Sequence, residues 1–180
     1  MKSPKRVNPL EHIRLLVVFA MLGSLMFISD ILMEFLPNMH IVGALTMIYT
    51  VVYRSKALIP LYVYVFLSGL YGGFGLWWYP YLYIWLPLWA MTMIVPRRLD
   101  AKWKIPLYML ICAFHGLTFG VLYAPFQMLA FGLSAKSTLA WIIAGFPFDA
   151  IHGAFNLLAA TLVFPVSNML QTLENKITIE

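Results

Sequence analysis

Apolar residues run along this chain in blocks and do not alternate with polar ones. Segments 15–27 and 105–114 are almost unbroken, and the interruptions between blocks are short clusters of charge, glycine and proline. A bilayer leaves no backbone polar group unpaired, so its spanning elements are helices or closed barrels, and barrels alternate apolar with polar positions. Blocks without alternation therefore predict helices, each needing about 20 residues to cross. The pattern places six spans near 13–36, 40–53, 57–72, 78–96, 105–126 and 148–170. The second and third are short for a full crossing and are expected to tilt or to extend into loops. Segment 127–147 holds an apolar stretch, 139–146, too short to cross and return, and reads as a structured loop with a half-helix. The expected fold is an all-α membrane protein, one integral membrane domain over residues 1–180.

Composition agrees. Of the 180 residues 62% are hydrophobic and 11% charged, against about half and a quarter in soluble domains. A water-soluble fold of this size has no way to hide that much apolar surface. The first ten residues are basic, but the apolar run behind them outlasts a signal peptide's hydrophobic region and shows no small-residue cleavage site before Asp30, so it reads as a retained first span. One cysteine, Cys112, allows no disulfide framework and no cysteine-based metal site.

Twelve Lys and Arg stand against seven Asp and Glu. In this setting the excess reports topology, not nucleic-acid binding. Lys2, Lys5, Arg6 and Arg14 precede the first span, Arg54 and Lys56 separate the second from the third, and Arg97, Arg98, Lys102 and Lys104 separate the fourth from the fifth. Lys176 follows the sixth span, and Lys136 alone falls on the other side. The positive-inside rule then puts both termini in the cytoplasm and three loops outside. No inverted internal repeat is visible.

With that orientation the ionisable residues in or beside the spans gather toward the outer half. Asp30 and Glu34 lie one helical turn apart, His40 opens the second span, and His115 sits near the middle of the fifth. Asp149, His152 and Asn156, spaced i, i+3, i+7, share one face of the sixth. Carboxylates in a membrane are costly unless they face protein or water, so they mark candidate sites. Plainer readings stand beside this one. Glu34, close to Pro37, ends its helix among headgroups; Asp149, just after Pro147, caps free amides in a first turn; His115 is a hydrogen-bonded packing residue. The stretch 72–85 is the most aromatic of the chain, with Trp77, Trp78, Tyr79, Tyr81, Tyr83 and Trp85 following three glycines. Such rings anchor helices at an interface, or stack on a flat heterocycle and, beside carboxylates, favour a cation.

Segment 145–156, which contains Pro147, Phe148, Asp149, His152 and Asn156, resembles the Pro-Phe-Asp-x-x-His/Lys segment before the last helix of energy-coupling factor (ECF) transporter S components. Length, six spans, cytoplasmic termini and an aromatic outer surface extend the likeness. Ala20-x-x-x-Ser24 in the first span is similar to the Ala-x-x-x-Ala pattern with which S components pack on their scaffold, since small residues four apart let helix backbones approach. The resemblance implies a non-catalytic subunit of a bacterial or archaeal cell membrane that captures a vitamin-like ligand from outside. It also implies partnership with a transmembrane scaffold subunit and two ATP-binding subunits. The chain has no phosphate loop of its own, and no cofactor is expected.

The expected ligand contacts are Asp149, His152, Asn156, Trp77, Trp78, Tyr81, Trp85, Asp30 and His115. With Lys136 the only outer cation, folate, biotin and pantothenate are disfavoured, and a neutral or cationic flat ring is preferred. Met39-His40-Ile41 is similar to the start of nickel and cobalt S components, but those use a free terminal amine, which an internal triplet lacks, so no metal is expected. A membrane enzyme and a sensory or structural membrane protein are the competing readings. No nucleophile elbow, zinc-binding His-Glu-x-x-His or Gly-rich phosphate motif accompanies the polar residues.

Overall fold

A computed structural model of the chain describes residues 9–179, with side chains described at 10 and 13–176. The cluster Lys2, Lys5 and Arg6 lies outside the described residues. Within them the chain is all-helical, with α1 (Pro9–Leu32), α2 (Val42–Tyr53), α3 (Leu58–Gly72), α4 (Leu86–Ile94), α5 (Ala101–Leu117), α6 (Phe119–Phe131), α7 (Ala135–Ala159) and α8 (Val163–Ile179). Short 3-10 turns at Arg54–Ala57, Tyr79–Leu82 and Ala160–Leu162 link them. Four helical stretches are long and apolar enough to cross a membrane: Ile13–Leu32, Val42–Gly72, Ala101–Phe131 and Ala135–Lys176.

These stretches redraw the expected spans. The first, fifth and sixth fall largely inside long helices. The second and third are α2 and α3, parted where Arg54 takes φ 58° and ψ −124°, a conformation that no helix continues through. Of the stretch 78–96, only the 9 residues of α4 are α-helical, about 14 Å at 1.5 Å per residue. The stretch 127–147 differs from the expected loop: α6 runs to Phe131, Gly132 takes the left-handed φ of 61° that ends it, and α7 begins at Ala135. Ser134 caps α7 by accepting from the Ser137 amide. Pro147 sits inside α7 without ending it. The break instead falls between α5 and α6, at Thr118.

The short helix α2 is the axis of the bundle. Val42, Gly43, Ala44 and 46–50 are all buried, against α4, α8, α5, α7 and α1. Its 12 residues span about 18 Å at 1.5 Å per residue. Two glycine contacts set the helix spacings around it. A Cβ on Gly23 of α1 would stand 2.6 Å from Val63 of α3, and one on Gly116 of α5 would stand 2.8 Å from the backbone of Gly153 in α7. These pairs, α1 with α3 and α5 with α7, form the most extensive helix contacts. The outward faces are apolar: Leu16, Met21, Leu25 and Ile28 on α1, Leu110 and Phe114 on α5, and Ile143, Phe146 and Leu158 on α7 are all exposed. Ala20 is exposed on α1 and Ser24 is half-buried.

The two ends of the bundle differ in charge. At one end the Arg14 guanidinium meets the Glu174 carboxylate at 3.3 Å, and the Tyr53 hydroxyl donates to the same carboxylate at 2.9 Å. There too Arg54 donates to the Met93 carbonyl at 2.6 Å and Lys104 to the Arg97 carbonyl at 2.9 Å. The chain ends of α1, α2, α4 and α8 meet here. The opposite end carries Asp30, Glu34 and the aromatic segment.

Candidate functional site

The acidic end is open. Its cleft is built from the last turns of α1, the connection 33–41, the segment 73–85, and the facing parts of α3, α6 and α7. The connection 33–41 is a chain of tight turns, with backbone bonds from Met33 to Asp30, Glu34 to Ile31, Leu36 to Met33 and Met39 to Leu36. Asn38 takes φ 60°, a conformation that asparagine tolerates better than most side chains.

The aromatic segment is held by side chains from three helices and by one of its own. The Trp78 indole donates to the Val65 carbonyl at 2.7 Å. The Tyr123 hydroxyl donates to the Trp77 carbonyl at 2.7 Å and the Tyr62 hydroxyl to the Leu82 carbonyl at 2.8 Å. His115 Nε2 lies 2.9 Å from the Ile84 carbonyl; a carbonyl only accepts, so this nitrogen carries the proton. The His115 ring also stacks on Trp85, with centroids 5.6 Å apart and planes 29° from parallel. A glycine-rich stretch with a single 3-10 turn thereby becomes a fixed wall.

The cleft has two chambers. The first, of about 250 Å³, is lined by Phe27, Asp30, Glu34, Tyr71, Trp77 and Tyr81, with Ser68 at one side. The second, of about 230 Å³, is lined by the 33–40 connection together with Asp30, Tyr81, Phe119 and His152. Asp30, Glu34 and Tyr81 belong to both. Asp30 Oδ2 accepts from the Tyr64 hydroxyl at 2.9 Å, and neither Asp30 nor Glu34 has a Lys or Arg partner among the described residues. In the second chamber the His40 and His152 rings meet edge to face, 4.7 Å between centroids, and His152 also leans on Phe119 at 4.9 Å. His152 is 2% exposed. Its Nε2 and His40 Nδ1 are buried without a hydrogen-bond partner among the described residues. Such atoms cost free energy unless a guest or solvent meets them. Among the described residues, no three His, Cys, Asp or Glu side chains are grouped to hold a metal ion.

Of the expected ligand contacts, Asp30, Trp77, Tyr81 and His152 meet at this cleft, joined by Glu34 and His40, which the sequence also singled out. Trp85 lies behind it, 1% exposed and packed between Tyr64, Tyr81, His40 and His115. Trp78 faces Phe74 and Tyr79 and holds the segment to α3. The other three line neither chamber. Asp149 Oδ2 accepts from the Gly120 amide at 3.0 Å, so its carboxylate caps the first turn of α6 exposed by the break at Thr118. Asn156, fully buried, donates from Nδ2 to the Cys112 carbonyl at 3.3 Å, and His115 holds the Ile84 carbonyl. Reading by sequence also missed contributors. Phe27, Tyr64, Tyr71 and Phe119 stand within apolar blocks where an aromatic residue draws no notice. Tyr64 and Ser68 place two hydroxyls one turn apart on α3, and that spacing was the signal available. Compared with protein-family models, with curated proteins and with solved structures, the chain matches none.

Proposed function

We propose that this chain is a non-catalytic capture subunit for a small molecule, working as the S component of an ECF-type importer. It has six crossings, with α4 completing a short one, and both termini are cytoplasmic. Its basic end faces the cytoplasm, so the cleft opens outward, in keeping with the positive-inside rule. The observation that carries the reading is the divided cleft itself, a preformed aromatic and carboxylate-lined concavity with unpartnered buried histidine nitrogens. Concave sites of largely apolar lining with a few convergent polar groups are the usual form of small-molecule sites. The ligand is a vitamin-like flat heterocycle, neutral or cationic, because carboxylates line the cleft and no Lys or Arg among the described residues does.

Delivery requires a transmembrane scaffold subunit and two ATP-binding subunits. The scaffold packs on the outward face of α1 at Ala20 and Ser24, where small side chains permit close approach. Mass spectrometry of small molecules copurifying with the detergent-solubilised protein, followed by calorimetric titration of the molecule found, tests capture. Saturable binding at one site per chain without turnover is expected. Chemical conversion of the molecule, or the absence of any saturable guest, overturns the reading.

A further inference from the structure

We infer that the guest is a two-part organic cation: a charged, flat portion held in the first chamber against Asp30, joined to a hydrogen-bonding portion that reaches His152 in the second. This rests on the capture reading and narrows it from neutral or cationic to cationic. The first chamber combines two carboxylates with the rings of Phe27, Tyr71, Trp77 and Tyr81. Ring faces and carboxylates both attract a cation, and a diffuse one suits the box better than a compact ammonium, whose water shell is costly to strip. Tyr64 supplies Asp30 with one hydroxyl donor, and no basic side chain among the described residues neutralises either acid. A cationic guest supplies the missing charge.

The second chamber has different chemistry. His152 lines it together with His40 and Phe119, and its buried Nε2 has no hydrogen-bond partner among the described residues. A neutral imidazole offers one donor and one acceptor, so the portion of the guest that lies here carries an amide, amine or ring nitrogen. Size joins the two halves. At about 250 and 230 Å³ each chamber alone falls below the roughly 300–1,000 Å³ usual for small-molecule sites. Asp30, Glu34 and Tyr81 border both, so one molecule lying across the junction contacts all of these groups.

The test uses the full-length detergent-solubilised protein and three probes followed by quenching of tryptophan fluorescence. These are N-benzylpyridinium, its para-carbamoyl derivative, and 4-benzylpyridine in alkaline buffer, where it is uncharged. Both cations are expected to bind about tenfold or more tightly than the uncharged probe, and the carbamoyl group is expected to add a further factor of about ten. Asp30→Asn, which keeps an acceptor for Tyr64, should remove the advantage of charge. Glu34→Gln, a change at an exposed side chain that leaves folding intact, should reduce that advantage severalfold. His152→Leu should erase the carbamoyl advantage and leave N-benzylpyridinium unchanged. Equal binding of charged and uncharged probes to the wild type, no binding of any probe, or indifference of both acid variants overturns the inference. A copurifying anion or neutral molecule that binds saturably also overturns it while leaving the capture function standing; an absent guest removes both.

Discussion

Two polar clusters sit in this apolar bundle and differ in what their side chains are paired with. Along the seam of α5 and α7, Asp149 accepts from the Gly120 amide, His115 holds the Ile84 carbonyl and Asn156 donates to the Cys112 carbonyl. In the cleft, Asp30 receives one hydroxyl from Tyr64, and His40 Nδ1 and His152 Nε2 have no partner among the described residues. His152 and Asn156 stand one turn apart on the same helix, yet they fall on opposite sides of this division. The seam also leaves His115 Nδ1 and Asn156 Oδ1 unpartnered, but neither residue lines a chamber. In apolar surroundings a polar side chain is thus either committed to free backbone groups, where it fixes helices, or left with an unpaired buried atom in the wall of a cavity.

The comparison breaks most visibly at the seam. Gly116→Val drives a branched side chain into the Gly153 backbone, where nothing flexible yields. Overpacking typically costs about 1–3 kcal/mol and occasionally more, and here about 3 kcal/mol or more is expected. Thermal melting and the monodisperse fraction on size exclusion read it. A wild-type melting curve would mean that this contact does not set the helix spacing.

Next comes Asp149→Ala, which strips a charged acceptor from a first-turn amide and should destabilise by about 1.5–3 kcal/mol. Asp149→Asn retains an oxygen acceptor and should lose less. Guest affinity, measured by titration of the folded fraction, should not change in either. A fall in affinity with unchanged melting would move Asp149 from the seam to the site. Asp30→Asn sharpens the contrast from the other side: stability should shift by under about 1 kcal/mol, since the Tyr64 bond persists, while binding of the copurified molecule weakens. The smallest effect is expected of Trp77→Leu, a loss of about 0.5–1.5 kcal/mol in binding beyond lost area if its ring contacts the guest, with melting unaltered. An affinity equal to wild type would leave Trp77 as wall alone.

Much of this was legible along the chain. The apolar blocks foretold helices, and the Lys and Arg clusters fall between helices at one end, where Arg14 and Arg54 meet Glu174 and Met93. Asp30, Trp77, Tyr81 and His152 stood out singly before the fold assembled them. Other features were illegible because they depend on distant partners. Ala20 and Ser24 showed the small-residue spacing of α1, yet the close approach within the chain belongs to Gly23 against Val63, and only the position of α3 distinguishes them. Tyr64 gained significance only when its hydroxyl came to face Asp30, 34 residues away.

What the sequence determined by itself is the hydropathy of each segment, hence the apolar helices, because that property is local and additive along the chain; the six spans expected from it became four stretches long and apolar enough to cross a membrane once the helices were placed. Tertiary structure decided which polar groups are committed. The break at Thr118 leaves the Gly120 amide unpaired within its own helix, and α7 brings Asp149 to it. No comparable backbone group reaches His152 Nε2 or His40 Nδ1. Free amides and carbonyls arise where helices end and are found by whichever side chain the packing delivers, a relation between remote segments that no local pattern contains.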